Sequence, residues 1–241
     1  MYTKSLSLMV VGFLASFAVL AEDGGSGEDG TVAFTQDFPF DECLFVPIGG
    51  NAYFSLTPGR ETYLSDGDEE VRITVTGDVK NIRFDDRDHW TRVIEEHETE
   101  EGELTEISRN YFAACWPSMD VYYFGEDVDI YDDDEVVSHD GAWLAGKEGA
   151  KPGLIMPRSA FILGSRYYQE LAPGIAEDRA EHIGAHVEIH VPAGSFDACI
   201  EIEETTPLEP DVSTKIYCRD VGLVVDDELE AYDIRRPWRR R

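Results

Sequence analysis

A period of two runs through this chain and restricts it to strands. Val71, Ile73 and Val75 alternate with Arg72, Thr74 and Thr76, the spacing that turns one face of a half-buried strand to a core and the other to water. Residues 89–99 and 104–114 read as a hairpin closed by Glu100-Glu101-Gly102-Glu103. Residues 121–124, 128–131 and 135–138 continue as a meander, divided by Gly125-Glu126-Asp127 and Asp132-Asp133-Asp134, and Asp140-Gly141 turns into Ala142-Trp143-Leu144. Strand patterns return at 167–171, 186–192, 196–203, 214–220 and 222–225. Residues 145–164 contain Gly146, Gly149, Pro152, Gly153, Pro157 and Gly164 and read as a loop crossing the sheet, while 174–184 hold helix formers that predict a helical turn or two. The expectation is an all-β fold: one strongly curved antiparallel sheet of roughly ten to twelve strands, a half-open or closed barrel, with few or no long helices. A two-sheet sandwich is the alternative.

The ends set the compartment. Lys4 precedes an apolar run from Leu6 to Leu20 that ends in Val19-Leu20-Ala21, and Glu22-Asp23-Gly24-Gly25 follows at once. This predicts a secretory signal peptide over 1–21, then a flexible acidic linker over 22–32, a β domain over 33–230 and a basic tail over 231–241. No cysteine follows the expected cleavage site, and no later segment is long and apolar enough to span a bilayer, so the mature chain is expected to be exported, periplasmic or extracellular, without a transmembrane anchor.

Charge excludes one class of partner. The chain carries a formal −30, and loss of Lys4 with the leader makes it −31. Such a surface repels nucleic acid and anionic lipid. The acids are dispersed, which reads as solvation of the whole surface in a salty habitat, where screening relieves self-repulsion. In the tail, Arg235, Arg236 and Arg239 to Arg241 surround Trp238 and invert the sign; such a tail folds back loosely on an acidic body.

Cys43, Cys115, Cys199 and Cys218 in an exported chain without a CxxC predict disulfides rather than zinc. Cys199 and Cys218 lie equally far from the centre of the loop between Leu208 and Glu209. An antiparallel hairpin in that register sets them opposite each other, which predicts Cys199–Cys218 and, by elimination, Cys43–Cys115.

Five stretches occur in a recognisable order: Asn51-Ala52-Tyr53-Phe54-Ser55-Leu56-Thr57-Pro58-Gly59, Tyr123-Phe124-Gly125-Glu126-Asp127, Gly149-Ala150-Lys151-Pro152-Gly153-Leu154-Ile155-Met156-Pro157, Val191-Pro192-Ala193-Gly194-Ser195-Phe196-Asp197 and Val221-Gly222-Leu223-Val224. Together they resemble a group of exported bacterial β-proteins of uncharacterised function, over about residues 50–226. The resemblance implies a fold similar to half-barrel envelope proteins of the lipoprotein-carrier type, some of which hold lipid-like cargo, and it brings no catalytic residue. Read on their own, Pro58-Gly59 and Pro192-Ala193-Gly194 set turns, and Tyr53, Phe54 and Phe196 supply bulk.

Candidate chemistry is sparse. Gly141 to Lys147 matches seven positions of a phosphate loop, but Glu148 replaces the required Ser or Thr. His186, Glu188 and His190 share one face of an extended strand, with the two imidazoles about 7 Å apart along it, and form the candidate transition-metal set; the same pattern is also the solvated face of an amphipathic strand. Asp127, Asp129, Asp132 to Asp134 and Glu135 crowd one loop without calcium-loop spacing and read as a hydrated turn. No nucleophile elbow, no His-Glu-x-x-His and no Cys-His dyad occurs, and no cofactor is implied.

The aromatic residues between Tyr111 and Tyr168 either fill the sheet's concave face or leave a pocket for an apolar or lipid-like ligand, covered by the loop from Gly149 to Gly164. Tyr122, Phe124, Tyr167 and Leu171 are the candidate ligand-binding positions. The functional expectation is an exported acidic envelope protein that is structural or binds an apolar ligand, rather than an enzyme. The alternative is a secreted hydrolase using an unidentified carboxylate site.

Overall fold

The computed structural model describes residues 33–158 and 162–237. The expected leader and linker, and the last four residues of the arginine tail, lie outside the described residues. After a 3-10 turn at Phe40–Glu42, the chain forms β1 (Leu44–Val46), β2 (Glu61–Ser65), β3 (Glu69–Phe84), β4 (Arg87–Glu100), β5 (Glu103–Trp116), β6 (Val121–Asp132), β7 (Glu135–Ser138) and β8 (Trp143–Leu144). There follow β9 (Lys151–Met156), β10 (Arg166–Tyr168), β11 (Glu170–Leu171), β12 (Arg179–Val191), β13 (Gly194–Thr205), β14 (Val212–Cys218), β15 (Gly222–Asp226) and β16 (Leu229–Arg235).

All sixteen belong to one sheet whose main path is β12-β13-β14-β15-β16-β2-β3-β4-β5-β6-β9, with β1 beside β5, and β7 and β8 beside β6. Its two ends meet on one short segment. β10 pairs with β12 through Arg166↔Glu181 and Tyr168↔Arg179, and β11 pairs with β9 through Glu170↔Pro152. Between them the Gln169 N–H donates to the Asp178 carbonyl at 2.8 Å. The sheet is thereby a nearly closed antiparallel barrel, which removes the unpaired backbone groups that an edge exposes.

Acidic turns have a local cause. Asp85-Asp86 and Asp133-Asp134 close two-residue hairpins with both residues at positive φ, 50° and 58° in the first, 49° and 63° in the second. That is the primed turn whose twist suits an antiparallel pair, and short polar side chains tolerate it best after glycine.

Several expectations need correction. The meander over 121–131 is one strand, β6, because Gly125 is a bulge and not a turn: on β5, Asn110 to Phe112 is opposed by Glu126 to Tyr123, one residue more. Residues 145–164 are not all loop, since β9 lies within them and pairs with β6 and β11. Residues 174–184 form no helix; β12 begins at Arg179. The β domain does not stop at 230, because β16 runs to Arg235 and pairs with β2, so the first arginine of the tail sits in the barrel wall bonded to Tyr63 and Asp233. Among the described residues the strands number sixteen, more than the sequence pattern predicts, because strands as short as β8 and β11 carry no periodicity to read.

Two coverings protect the outside of the barrel. The N-terminal segment lays Phe38, Phe40 and Phe45 against Tyr122, with ring centroids 5.5–5.6 Å apart, and Phe45 meets Phe124 at 4.9 Å. Phe124 is wholly buried there, which contributes about 2–3 kcal/mol. This segment is tied down by the Cys43–Cys115 disulfide and by β1. On the other side, two bulges in β12 and one in β13 bend this pair, and the β12–β13 hairpin tip folds back so that the Ala193 N–H donates to the Ala231 carbonyl at 2.8 Å. A second, smaller apolar cluster forms beneath it around Val191, Val224 and the Cys199–Cys218 disulfide, whose cysteines oppose each other in register.

Three variants test this construction. A Cβ on Gly125, at φ 130°, would lie 2.3 Å from the Trp143 carbonyl, so Gly125→Ala is expected to lose about 2–4 kcal/mol in chemical denaturation. Gly77→Ala, where a Cβ meets nothing within 4 Å, is expected to change little. The double variant Cys43→Ser/Cys115→Ser releases a 72-residue closure and is expected to lose about 4 kcal/mol, with an increased quantum yield of a dye that binds exposed apolar surface.

Candidate functional site

The barrel encloses a cavity of about 680 Å³, within the range of small-molecule sites. One end is closed by aromatic rings. Phe112 of β5 stacks on Tyr123 of β6 at 4.6 Å, and Phe54, delivered by the loop after β1, meets Phe112 at 4.9 Å and Tyr217 of β14 at 6.5 Å. Asn51 fixes that loop: its Oδ1 accepts from the Tyr53 and Phe54 N–H groups, and its Nδ2 donates to the carbonyls of Met119 and Met156. Arg92 seals the same end, donating from Nε to the Pro47 carbonyl and from Nη1 to those of Gly77 and Asp78.

Away from this floor the wall becomes acidic. Along β4 the side chains that line the cavity are Ile94, Glu96, Glu98 and Glu100, one every second residue. Glu106 of β5 stands directly opposite Glu98 in register, and Glu126 of β6 stands opposite Asn110. Eleven carboxyl side chains line the cavity against two cations, Arg60 and Lys215.

These carboxyls fall into two groups. On β11, β13 and β15 they are partnered, in part by Lys215 of β14. Lys215 lies 3.2 Å from Glu204 and 3.4 Å from Asp226, Gln169 Nε2 donates to Glu204 at 2.6 Å, and Trp143 Nε1 donates to Glu170 at 3.1 Å. Burial alone would pull the Lys215 ammonium down, but Asp226 and Glu204 outweigh it and hold its pKa well above the usual lysine range. Glu98 and Glu106 are different. They are 4% and 7% exposed, and among the described residues neither has a hydrogen-bond donor or a cation.

Desolvation dominates the electrostatics of this wall. It lifts Glu96 and Glu106 to about 7, and Glu126 to about 8 against the opposing pull of the Tyr123 hydroxyl. Burial first, then the neighbouring Glu106 and Glu96, hold the Glu98 carboxyl well above its usual range. Outside the barrel the same strands carry matched charges: Lys80 with Asp127 at 2.7 Å, and Arg109 with Asp129 at 2.9 Å. The acids of 127–135 are thus employed in ion pairs and a turn.

The residues singled out from the sequence lie elsewhere. Tyr122 and Phe124 are packed under the N-terminal segment, because β6 points Tyr123 into the lumen and its neighbours outward. Tyr167 is buried with its hydroxyl 2.7 Å from His182 Nε2, and burial holds that imidazole down to about 4. Leu171, on β11, does not line the cavity. His186, Glu188 and His190 are exposed on the outer face of the β12–β13 hairpin. His186 sits in a bulge at φ 56°, and His186, Glu188 and His190 alternate as exposed residues with the half-buried Val187 and Ile189. Among the described residues no group of three or more His, Cys, Asp or Glu side chains is arranged to hold a metal ion. Sequence reading passed over the lumenal acids because they are dispersed among many surface acids; their signal was Glu96, Glu98 and Glu100 in phase with Ile94.

No protein-family model matches this chain, and no curated protein matches it. Among solved structures, that of a putative lipoprotein from Parabacteroides distasonis is similar at a TM-score of 0.28 and 14% identity, over 77% of this chain and 99% of the other. Likeness at that level transfers no site.

The lumenal carboxyls give stability a direction with pH. In an unfolded chain each titrates near roughly 4.3, so between there and about 7 to 8 the folded chain binds more protons. Stability is therefore full at low pH, falls as pH rises through that window and levels off above it. His182 acts in the opposite sense, but between about 4 and 6.5. The melting temperature is expected to be several degrees lower at pH 8.5 than at pH 6.5, and Glu98→Gln is expected to shrink the difference; equal melting at both pH values would mean that these acids ionise freely.

Proposed function

We propose that this protein is an exported binding protein of the bacterial envelope that holds a small molecule in the lumen of its barrel. The observation that carries the reading is a 680 Å³ cavity with an aromatic floor and two buried carboxyls, Glu98 and Glu106, that have no donor or cation among the described residues. A lumen built only for packing would be filled by its own side chains, as the outer aromatic face is. Export is supported by the apolar leader and by two disulfides, which persist in oxidising compartments. Among the described residues no helix is long and apolar enough to cross a membrane.

The ligand's apolar part has a place against Phe54, Phe112 and Tyr217, but the wall beyond them is not apolar. A uniformly lipid-like guest therefore fits less well than a molecule with a polar end. Tyr122, Phe124, Tyr167 and Leu171 act in this reading as packing residues of the wall.

Native mass spectrometry of the full chain, purified from its own envelope, tests the proposal. A stoichiometric adduct of small mass, lost in Phe112→Ala at unchanged disulfide content, is expected. A chain that is uniformly empty, and whose intrinsic tyrosine and tryptophan fluorescence no envelope extract alters, would sink it. Conversion of the captured molecule on incubation would move the reading to the secreted hydrolase that paired carboxyls also permit.

A further inference from the structure

The wall opposite Lys215 has an unmet chemical need. Glu98 and Glu106 face each other across β4 and β5, the position at which like charges repel most strongly. Both are buried in the lumen wall, and neither finds a donor or a cation among the described residues. The Thr105 hydroxyl beside them is also buried without a partner. It reaches the lumen because a bulge sets Thr105 as the extra residue between Glu106 and Leu104. Three adjacent oxygen-bearing groups thus line a cavity without a partner among the described residues, although unsatisfied buried polar groups are costly.

We propose that the lumen takes an organic cation, its ammonium group held by Glu98 and Glu106 and its carbon body lying along the wall toward Phe112 and Phe54. This deepens the reading above and rests on it.

The alternatives are poorer chemical matches. An anion would need free cations, and the two in the lumen are engaged, Lys215 by Glu204 and Asp226, Arg60 by the carbonyls of Asp220 and Val221. A hard divalent cation needs six or more oxygens, whereas Ile130 stands opposite Glu106 on β6 and also lines the cavity. An ammonium group has three donors and no acceptor, which suits two carboxyls and a hydroxyl, and the alkyl part beside it suits Ile130 and Ile73. The aromatic floor then receives the rest of the molecule, a face that attracts positive charge as well as carbon.

Calorimetric titration of the full chain with three probes of equal length, octylammonium, octanoate and octan-1-ol, tests the proposal. Octylammonium is expected to bind roughly thirtyfold tighter or better than either of the others. The near-isosteric double variant Glu98→Gln/Glu106→Gln is expected to abolish that preference, whereas Glu188→Gln, exposed on the outer face of the barrel, keeps it. Far-ultraviolet circular dichroism and melting confirm that each variant is folded. Equal or tighter binding of octanoate or octan-1-ol, or a preference that survives the double variant, would overturn the cation while leaving a lumenal ligand standing. Binding of none of the three would overturn the lumenal reading as well.

Discussion

A sheet edge presents unpaired N–H and C=O groups, and this chain disposes of both its edges with six residues. Arg166 to Tyr168 satisfies β12, Glu170 and Leu171 satisfy β9, and Gln169 crosses between them with its N–H on Asp178. Everything about the site follows from that closure. Once the sheet is a ring, alternate side chains of every strand must enter the lumen, and which ones do so depends on the bulges. At Gly125 the phase of β6 shifts, so that Tyr123 faces the floor and Glu126 still faces the acidic wall. Without the extra residue one of the two would point outward.

The same closure explains why the apolar bulk of the protein lies largely outside the lumen. Phe38, Phe40 and Phe45 come from the segment before the barrel and pack on its exterior, and the folded-back hairpin tip covers the opposite wall. With cores built there, the lumen is free to be polar. The price is desolvation of carboxyls, which Lys215, Gln169 and Trp143 offset on one side only.

Much of this architecture was legible in the sequence. The alternation of Val71, Ile73 and Val75 marks β3, and the loop centre between Leu208 and Glu209 gives the register that sets Cys199 opposite Cys218. Turns were legible where Asp or Gly needs positive φ, as at Glu101-Gly102. What period-two reading cannot supply is the sign of the alternation, because an amphipathic strand looks the same from inside and outside a barrel. Tyr122 and Phe124 fit the same alternation as Tyr123, yet the residue of the three that lines the cavity is Tyr123. Bulges, too, are single-residue events: the one at His186 carries no composition signal.

The acidity of the chain conceals its own exception. Most of its acids are on the exterior, where they are solvated, paired with Lys80, Arg109 or Arg235, or placed in turns, and dissolved salt screens what remains within about 10 Å. Salt does not screen Glu98 and Glu106 in the same way, because they are removed from bulk water and their mutual repulsion acts through a medium of lower dielectric. A net charge of −30 therefore describes two different things at once: a surface adjusted to its solvent, and a lumen whose buried carboxyls, held above their usual range by desolvation, give up part of that formal charge by binding protons. The total charge averages the second away. The register across β4 and β5 recovers it, since it alone shows that two of these many carboxyls are neighbours, buried, and turned toward the same space.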